Sequence, residues 1–279
     1  METLGYYNGT YGPLDEMTVP MNDRACYFGD GVYDATYSRN YKIFALEEHV
    51  DRFFSSAALV EICLPVTKEG LGALLYEMLG KVDTGGNFVY WQATRGTGMR
   101  SHAFPEEGGA NLWITIRPRQ VQTPDKKVRL ITLEDTRYLH CNIKTLNLLP
   151  NCVASERAKQ AGADEVIFHR AGRVTECAHH NCHIIKGGVL VTAPTDNLIL
   201  PGVTRAHLIR ACGVLDIPVE ERPYMVEDVF AADEVLISSV SSLGLAAETV
   251  DDTPVGGKAP ELLARLQAYL WREFMEETI

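Results

Sequence analysis

Hydrophobic positions recur along this chain with two periods, and the places where the period changes divide it into elements. From 46 to 62, LEEHVDRFFSSAALVEI, the apolar Val50, Phe53, Phe54 and Ala57 fall at helical spacing, Arg52 sits off that stripe, and Pro65 follows the expected end. FVYWQAT (88–94) and LWITI (112–116) are rich in aromatic and β-branched residues, which predicts two strands flanking a loop with glycine and proline. VRLITLE (128–134) reads as another strand, 151–162 as a helix closed by Gly162, and DEVIFH (164–169) with RVTEC (173–177) as a strand pair across a tight Arg-Ala-Gly turn. Strands also fit 182–186, 189–192 and 234–239, and helices fit 204–214 and 260–276. The last of these gathers Leu262, Leu263, Leu266, Tyr269 and Leu270 on one broad apolar face.

Strands and helices mixed in both halves predict an α/β or α+β fold rather than a bundle or a sandwich. The 279 residues suffice for two medium domains. The polar stretch PRQVQTPDK (118–126) carries two prolines and separates the strands on either side of it, so the expected division is residues 1–117, a linker at 118–122, and residues 123–279.

Composition narrows the function more than the fold. With 46% hydrophobic and 23% charged residues, nothing in the chain has the signature of disorder. The net charge of -11 without a dense Lys/Arg run argues against a nucleic-acid partner, while clustered cations in a cleft could still hold a small anion at short range. The amino terminus lacks a basic stretch followed by an apolar core, and no apolar run approaches the ~20 residues needed to cross a bilayer. A cytoplasmic location without a membrane partner is therefore expected. Seven scattered cysteines with no Cys-x-x-Cys pair read as reduced thiols, most of them small core residues.

Four features carry candidate chemistry. Lys144, among Ile143, Leu146, Leu148 and Leu149, is expected to be partly desolvated, which favours the neutral nucleophilic amine. Glu176 lies in the strand RVTEC. The turn LPGVTRAHLI (200–209) places Gly202 before a helix whose first amides, at Val203 and Thr204, would bind an anion, with the SSVSS turn (238–242) and Arg52 as further contributors. The loop RGTGMRSHAFP (95–105) sets Arg100 and His102 two residues apart, so that on extended backbone both point the same way toward a carboxylate. Plainer readings stand beside each: an exposed lysine, a solvated strand glutamate, an ordinary threonine cap and a solvated basic loop. Taken together the four match what pyridoxal phosphate chemistry requires: a lysine for the Schiff base, a partner for the pyridine nitrogen, a phosphate site and a wall that orients substrate.

The chain resembles the D-amino acid aminotransferases of the fold-type IV (class IV) pyridoxal phosphate enzymes. The likeness runs from YNG (7–9) to the last helix through DRACYFGDGVYD (23–34), HVDRFFSS (49–56), YWQATRGTGMRSHAFP (90–105), CNIKTLNLLPN (141–151), RVTE (173–176) and LILPGVTR (198–205). The resemblance implies a small N-terminal α/β domain and a larger C-terminal pseudo-barrel domain with the active site between them. By it, Lys144 is the Schiff-base lysine and proton shuttle, and Glu176 partners the pyridine nitrogen with Arg137 beside it. Arg52, Val203, Thr204 and the Ser239–Val240 turn hold phosphate, and Leu200 braces the ring. Tyr33, Arg100 and His102 form the carboxylate trap, with Tyr90, Arg100 and His102 supplied by the other subunit of a homodimer. The implied reaction exchanges amino groups between D-amino acids (D-alanine, D-glutamate, D-aspartate) and 2-oxo acids such as 2-oxoglutarate or pyruvate, by ping-pong kinetics.

Three positions depart from that pattern. CAHHNCH follows Glu176 where small hydroxyl residues are usual, placing His179 and His180 near the cofactor lysine. Val240 stands for a threonine, and Asp34 for a glutamate. Cys177, His179, His180, Cys182 and His183 are possible zinc ligands, but residues packed so closely on one strand cannot easily converge tetrahedrally, so no metal is expected. Rivals on the same fold are 4-amino-4-deoxychorismate lyase and branched-chain L-amino acid aminotransferase, against which the Arg100–His102 pair argues. A non-catalytic pyridoxal phosphate-binding dimer is the rival of a different class.

Overall fold

The computed structural model describes residues 1–106 and 108–279. The chain divides into two compact units, the first comprising Met1–Gln120, Ile143–Asn147 and Glu276–Ile279, the second Val121–Asn142 and Leu148–Met275. The stretch bearing Lys144 therefore belongs with the first unit, although its neighbours in sequence belong to the second.

The first unit is built from β1 (Leu4–Tyr7), β2 (Thr10–Gly12), α1 (Arg24–Phe28), β3 (Gly31–Arg39), β4 (Lys42–Ile43), α2 (Leu46–Leu59), α3 (Lys68–Leu79), β5 (Gly86–Thr94) and β6 (Asn111–Pro118). Its strands form an antiparallel sheet in the order β2-β1-β6-β5-β3-β4. Alternation decides the faces: Val32, Val89, Trp91, Ala93 and Ile114 enter the core, where Phe53 and Ala57 of α2 and Leu71 and Leu75 of α3 meet them. On the opposite face β3 and β5 carry Tyr33 and Tyr90, whose rings stack with centroids 5.4 Å apart. The helix expected over 46–62 ends at Leu59. There the amides of Val60 and Glu61 turn back onto Ala57 and Ala58, and Glu61 takes φ 56°, returning buried Ile62 to the core.

The second unit contains β7 (Lys127–Glu134), α4 (Leu149–Gln160), β8 (Glu165–Arg170), β9 (Arg173–Cys177), β10 (Asn181–Lys186), β11 (Val189–Thr192), α5 (Val203–Val214), β12 (Val219–Glu221), α6 (Val226–Phe230), β13 (Glu234–Ser238), β14 (Leu245–Val250), β15 (Thr253–Pro254) and α7 (Pro260–Glu277), whose last two residues fall in the first unit. Its sheet runs β12-β11-β10-β13-β14-β7-β8-β9, with β15 on β14, and mixes parallel with antiparallel pairs. The turn between β8 and β9 is a two-residue hairpin in which Ala171 and Gly172 both have positive φ, the geometry that suits a right-twisted strand pair. The expected strands and helices of this half lie within two residues of their observed bounds, whereas β12, α6, β14 and β15 were not foreseen. No helix among the described residues is long and apolar enough to cross a membrane. Of the seven free cysteines, Cys141, Cys177, Cys182 and Cys212 are buried and the other three are exposed.

Candidate active site

In the first unit Lys144 is seated by its backbone. Its carbonyl accepts the Tyr33 N–H at 2.9 Å and its own N–H donates to the buried Ser56 hydroxyl at 3.1 Å. Leu146 N–H donates to Gly31 at 3.0 Å, so residues 143–147 run along the start of β3. This approach requires glycine at 31: a Cβ there would lie 2.6 Å from the Ala93 carbonyl oxygen and 2.6 Å from Leu146 Cδ1. The half-buried Lys144 side chain reaches over Tyr33, with Nζ 4.4 Å from the ring centroid.

Asp34, the next residue of β3, points to the opposite, core face and is fully buried. It accepts from Arg52 Nε (2.9 Å) and Nη2 (2.8 Å) and stands 2.7 Å from His49 Nδ1. Burial alone would raise the Asp34 carboxyl, but the guanidinium and the imidazole outweigh it and hold the group well below the usual carboxylate range. Burial in turn pushes the His49 pKa down. Arg52, one helical turn after His49 on α2, is thus oriented by a carboxylate one methylene shorter than the expected glutamate. Tyr90 donates from its hydroxyl to Gln92 Oε1 at 2.7 Å, and burial raises its pKa. Arg100 and His102 are exposed in the single chain and share one neighbour: the Arg100 guanidinium lies 5.2 Å from the Phe28 ring centroid and the His102 ring 5.3 Å.

In the second unit Glu176 is 5% exposed, which rules out a solvated strand residue. One oxygen accepts Arg137 Nη1 at 2.5 Å, and the other accepts Asn181 Nδ2 at 3.0 Å and the Leu200 N–H at 3.1 Å. Arg137 is itself fixed on Asp135 through Nε (3.0 Å) and Nη2 (2.9 Å), on the Leu198 carbonyl (3.2 Å) and over the Phe168 ring. Burial works against the Arg137 charge, but Glu176 and Asp135 beside it outweigh that and raise its pKa, so the guanidinium stays charged. Asn181 also donates to the Leu200 carbonyl at 3.0 Å and so links Glu176 to the loop ahead of α5.

Gly202 ends that loop as the N-cap of α5, without a side-chain cap, and the first helical hydrogen bond runs from Ala206 N–H to the Gly202 carbonyl. The preceding amides have no intrahelical acceptor, as at any helix start. The Thr204 hydroxyl is buried and has no hydrogen-bond partner among the described residues. Uncapped amides beside an orphaned buried hydroxyl suit an anion, and the residues fit a phosphate group. In the 239–242 turn the Ser239 hydroxyl lies 2.8 Å from that of Ser241 and 3.1 Å from that of Ser242, while Val240 offers only its backbone.

His179 and His180 meet a residue that sequence reasoning left out, Glu165 on β8, so three possible metal ligands do converge, drawn from two segments. Exposed His179 and buried His180 bring Nδ1 to the same carboxylate oxygen, at 2.6 and 2.7 Å. Those are hydrogen-bond separations, whereas ligand atoms ~2.1 Å from one tetrahedral zinc stand roughly 3.4 Å apart. Burial would raise the Glu165 carboxyl, but the two histidines hold it well below its usual range. His183 is a core residue between the Thr192 and Ser238 hydroxyls, 2.8 Å from each. Sequence reasoning also missed Asn181, Asp135 and Ser56. The signal available for the first two was a polar residue entering or leaving an apolar strand.

A mixed α/β fold that sets a clamped lysine in one unit and an arginine-paired buried carboxylate beside an uncapped helix start in the other describes a class of enzyme, and the sequence agrees. The chain belongs to the amino-transferase class IV family, whose family model it matches over residues 31–246. The D-alanine aminotransferase of Listeria monocytogenes serotype 4b (strain F2365) is 38% identical over 268 residues, which cover 94% of this chain and 93% of that protein. Among solved structures, the branched-chain amino acid aminotransferase from Escherichia coli superposes with a TM-score of 0.90 at 21% identity, covering 100% of this chain and 96% of the other. A branched-chain amino acid aminotransferase from T.th., solved with pyridoxamine 5'-phosphate, gives 0.89 at 22%, covering 98% and 94%. At these identities the two structures speak for the fold.

Proposed function

We propose that this chain transfers amino groups between D-amino acids and 2-oxo acids, using pyridoxal 5'-phosphate carried on Lys144. The observation that carries the reading is the seating of Lys144, gripped through its own N–H and C=O so that its amine is presented over Tyr33. The D-alanine class of substrate is supported by the 38% identity to the Listeria enzyme across nearly the whole chain.

When bound, pyridoxal phosphate supplies an aldehyde for the amine and a ring that takes up the electrons left as the substrate's α-proton departs. Lys144 Nζ would act as the general base and acid that carries that proton. Glu176, paired with Arg137, would hold a proton on the pyridine nitrogen, and Leu200 would brace the ring. Arg52, the Val203 and Thr204 amides, and the Ser239–Val240 turn hold phosphate. Tyr33 and Tyr90 with Arg100 and His102 grip the substrate carboxylate, which fixes the enantiomer whose α-proton faces Lys144. His179 and His180 are held on Glu165. The reading is that of a cytoplasmic homodimer acting on small molecules, in which Arg100 and His102 serve the partner's cofactor, whereas Tyr90, expected from the other subunit, stacks on Tyr33 of its own chain. The exposure of Arg100 and His102 in the single chain supports it.

The test supplies D-alanine and L-alanine separately with 2-oxoglutarate and measures pyruvate. D-Alanine should be strongly preferred, and preference for L-alanine would overturn the reading.

A further inference from the structure

The loop 95–105 has no regular structure, yet the proposed function asks it to hold two side chains still enough to grip a carboxylate. Its base is tied to the segment before β3. Arg24 N–H donates to the Gly96 carbonyl at 2.9 Å and Gly98 N–H to that of Asn22 at 3.0 Å. Asp23 takes the Thr94 hydroxyl at 2.9 Å and Asn111 Nδ2 at 2.7 Å, and Asn111 also donates to the Thr97 hydroxyl at 2.9 Å. The backbone of the tip is tied by Arg24. Arg24, 3% exposed, sends Nη1 to the carbonyls of Ser101 (2.7 Å) and Ala103 (3.2 Å), and Nη2 to that of His102 (3.5 Å), the weakest of the three.

Two further contacts fix the arginine. Its Nε donates to Asp30 at 2.7 Å, and its guanidinium lies 5.0 Å from the centroid of Phe28, the ring that Arg100 and His102 also approach. Asp30 is shared with Arg95 Nε at 3.0 Å, and the Arg95 guanidinium sits 3.6 Å from the Phe104 ring centroid while donating to the Val60 and Glu61 carbonyls. One carboxylate thus anchors two guanidinium groups, which bracket the loop tip on its backbone side and its Phe104 side.

We infer that Arg24 is a positioning residue for substrate specificity: its buried fork holds the carbonyls of 101–103 and thereby presets Arg100 and His102 for the substrate carboxylate. A loop with glycine at 96 and 98 would otherwise have to be ordered each time substrate binds, and that cost would appear as lost affinity. Lysine cannot replace the fork, because a single ammonium cannot hold Asp30 and reach carbonyls on three consecutive residues in one plane. The inference rests on the reading that Arg100 and His102 bind the substrate carboxylate.

The experiment compares the holoenzyme with Arg24→Lys, Arg24→Gln and Arg100→Ala. Arg24→Lys should raise KM for D-alanine by about tenfold or more, the scale of one lost charge-assisted hydrogen bond, with a much smaller fall in kcat. The rise should be absent for a primary amine that has no carboxylate. Hydrogen exchange in the peptide 99–106 should quicken while the core strands and the cofactor's visible absorbance stay as in the parent. Arg24→Gln should show the same pattern more strongly. If Arg24→Lys leaves KM and loop exchange unchanged while Arg100→Ala raises KM, the inference about Arg24 fails and the carboxylate reading stands. If Arg100→Ala itself leaves KM unchanged, the carboxylate reading fails. If Arg24→Lys unfolds or loses cofactor as readily as substrate affinity, Arg24 is a general structural residue and the inference is overturned.

Discussion

Replacing Gly202 by alanine probes the join between the buried carboxylate and the helix start more sharply than removing any polar group. The backbone at Gly202, φ -65° and ψ 133°, is one that alanine adopts freely, so the substitution carries no conformational strain of its own. Its methyl, however, would lie 2.0 Å from Asn181 Oδ1, and also 3.3 Å from Asn181 Cγ and 3.3 Å from Arg205 Cβ. The Asn181 amide has to retreat by about 1 Å, and it is clamped by donating to Glu176 and to the Leu200 carbonyl. Losing one hydrogen bond to a charged group and one to a neutral carbonyl costs about 2–4 kcal/mol. Glu176 keeps Arg137 and the Leu200 amide as partners. Urea denaturation of the parent, Gly202→Ala, Asn181→Ala and the double variant reads this directly. The double variant should be no less stable than Asn181→Ala alone, within about 0.5 kcal/mol, because the clash has lost its target. A Gly202→Ala protein as stable as the parent, or two penalties that simply add, would refute the reasoning.

Two further outcomes follow from buried charge. Burial, with Arg205 nearby, pushes the His183 pKa down to about 3, so the folded chain stays unprotonated while the unfolded chain takes up a proton near 6.5. The His183 contribution to stability should then be flat above about pH 6.5 and fall as pH drops toward 3, by up to about 4–5 kcal/mol. His183→Gln should lose that part of the slope in denaturation curves run across the range, and an unchanged slope would contradict the assignment. Asp34→Asn leaves Arg52 without its buried carboxylate and should cost about 3–5 kcal/mol at neutral pH. Because the Asp34 carboxyl is held low, that difference is present above about pH 4 and should narrow on acidification below it, whereas equal stabilities at pH 7 would argue that the pair contributes nothing.

Much of the second unit was legible in the sequence because its strands are short apolar runs between turn residues and its helices have clear ends. β3 was not read as a strand, although it carries Tyr33 and Asp34, because Asp34, Thr36 and Ser38 on its core face are buried polar residues that disguise the alternation. α3 was missed for another reason: KEGLGALLYEML has two glycines, which weaken helix propensity, and only packing of Leu71, Leu75, Met78 and Leu79 recovers it. At the site, the lysine, the strand glutamate and the helix start could be named from local chemistry. Their supports could not. Arg24 meets the 101–103 carbonyls and Ser56 meets Lys144 across some eighty residues of chain, and Glu165 finds His179 and His180 only because the hairpin of β8 and β9 folds back. Such partners are set by register and strand order, which no local window contains.

The most direct test of the account is the chemical address of the cofactor. Borohydride reduction of the purified holoenzyme, followed by proteolysis and mass spectrometry, should place a single phosphopyridoxyl adduct on the peptide containing Lys144. An adduct on another lysine, or none in protein that carries the cofactor, would contradict it.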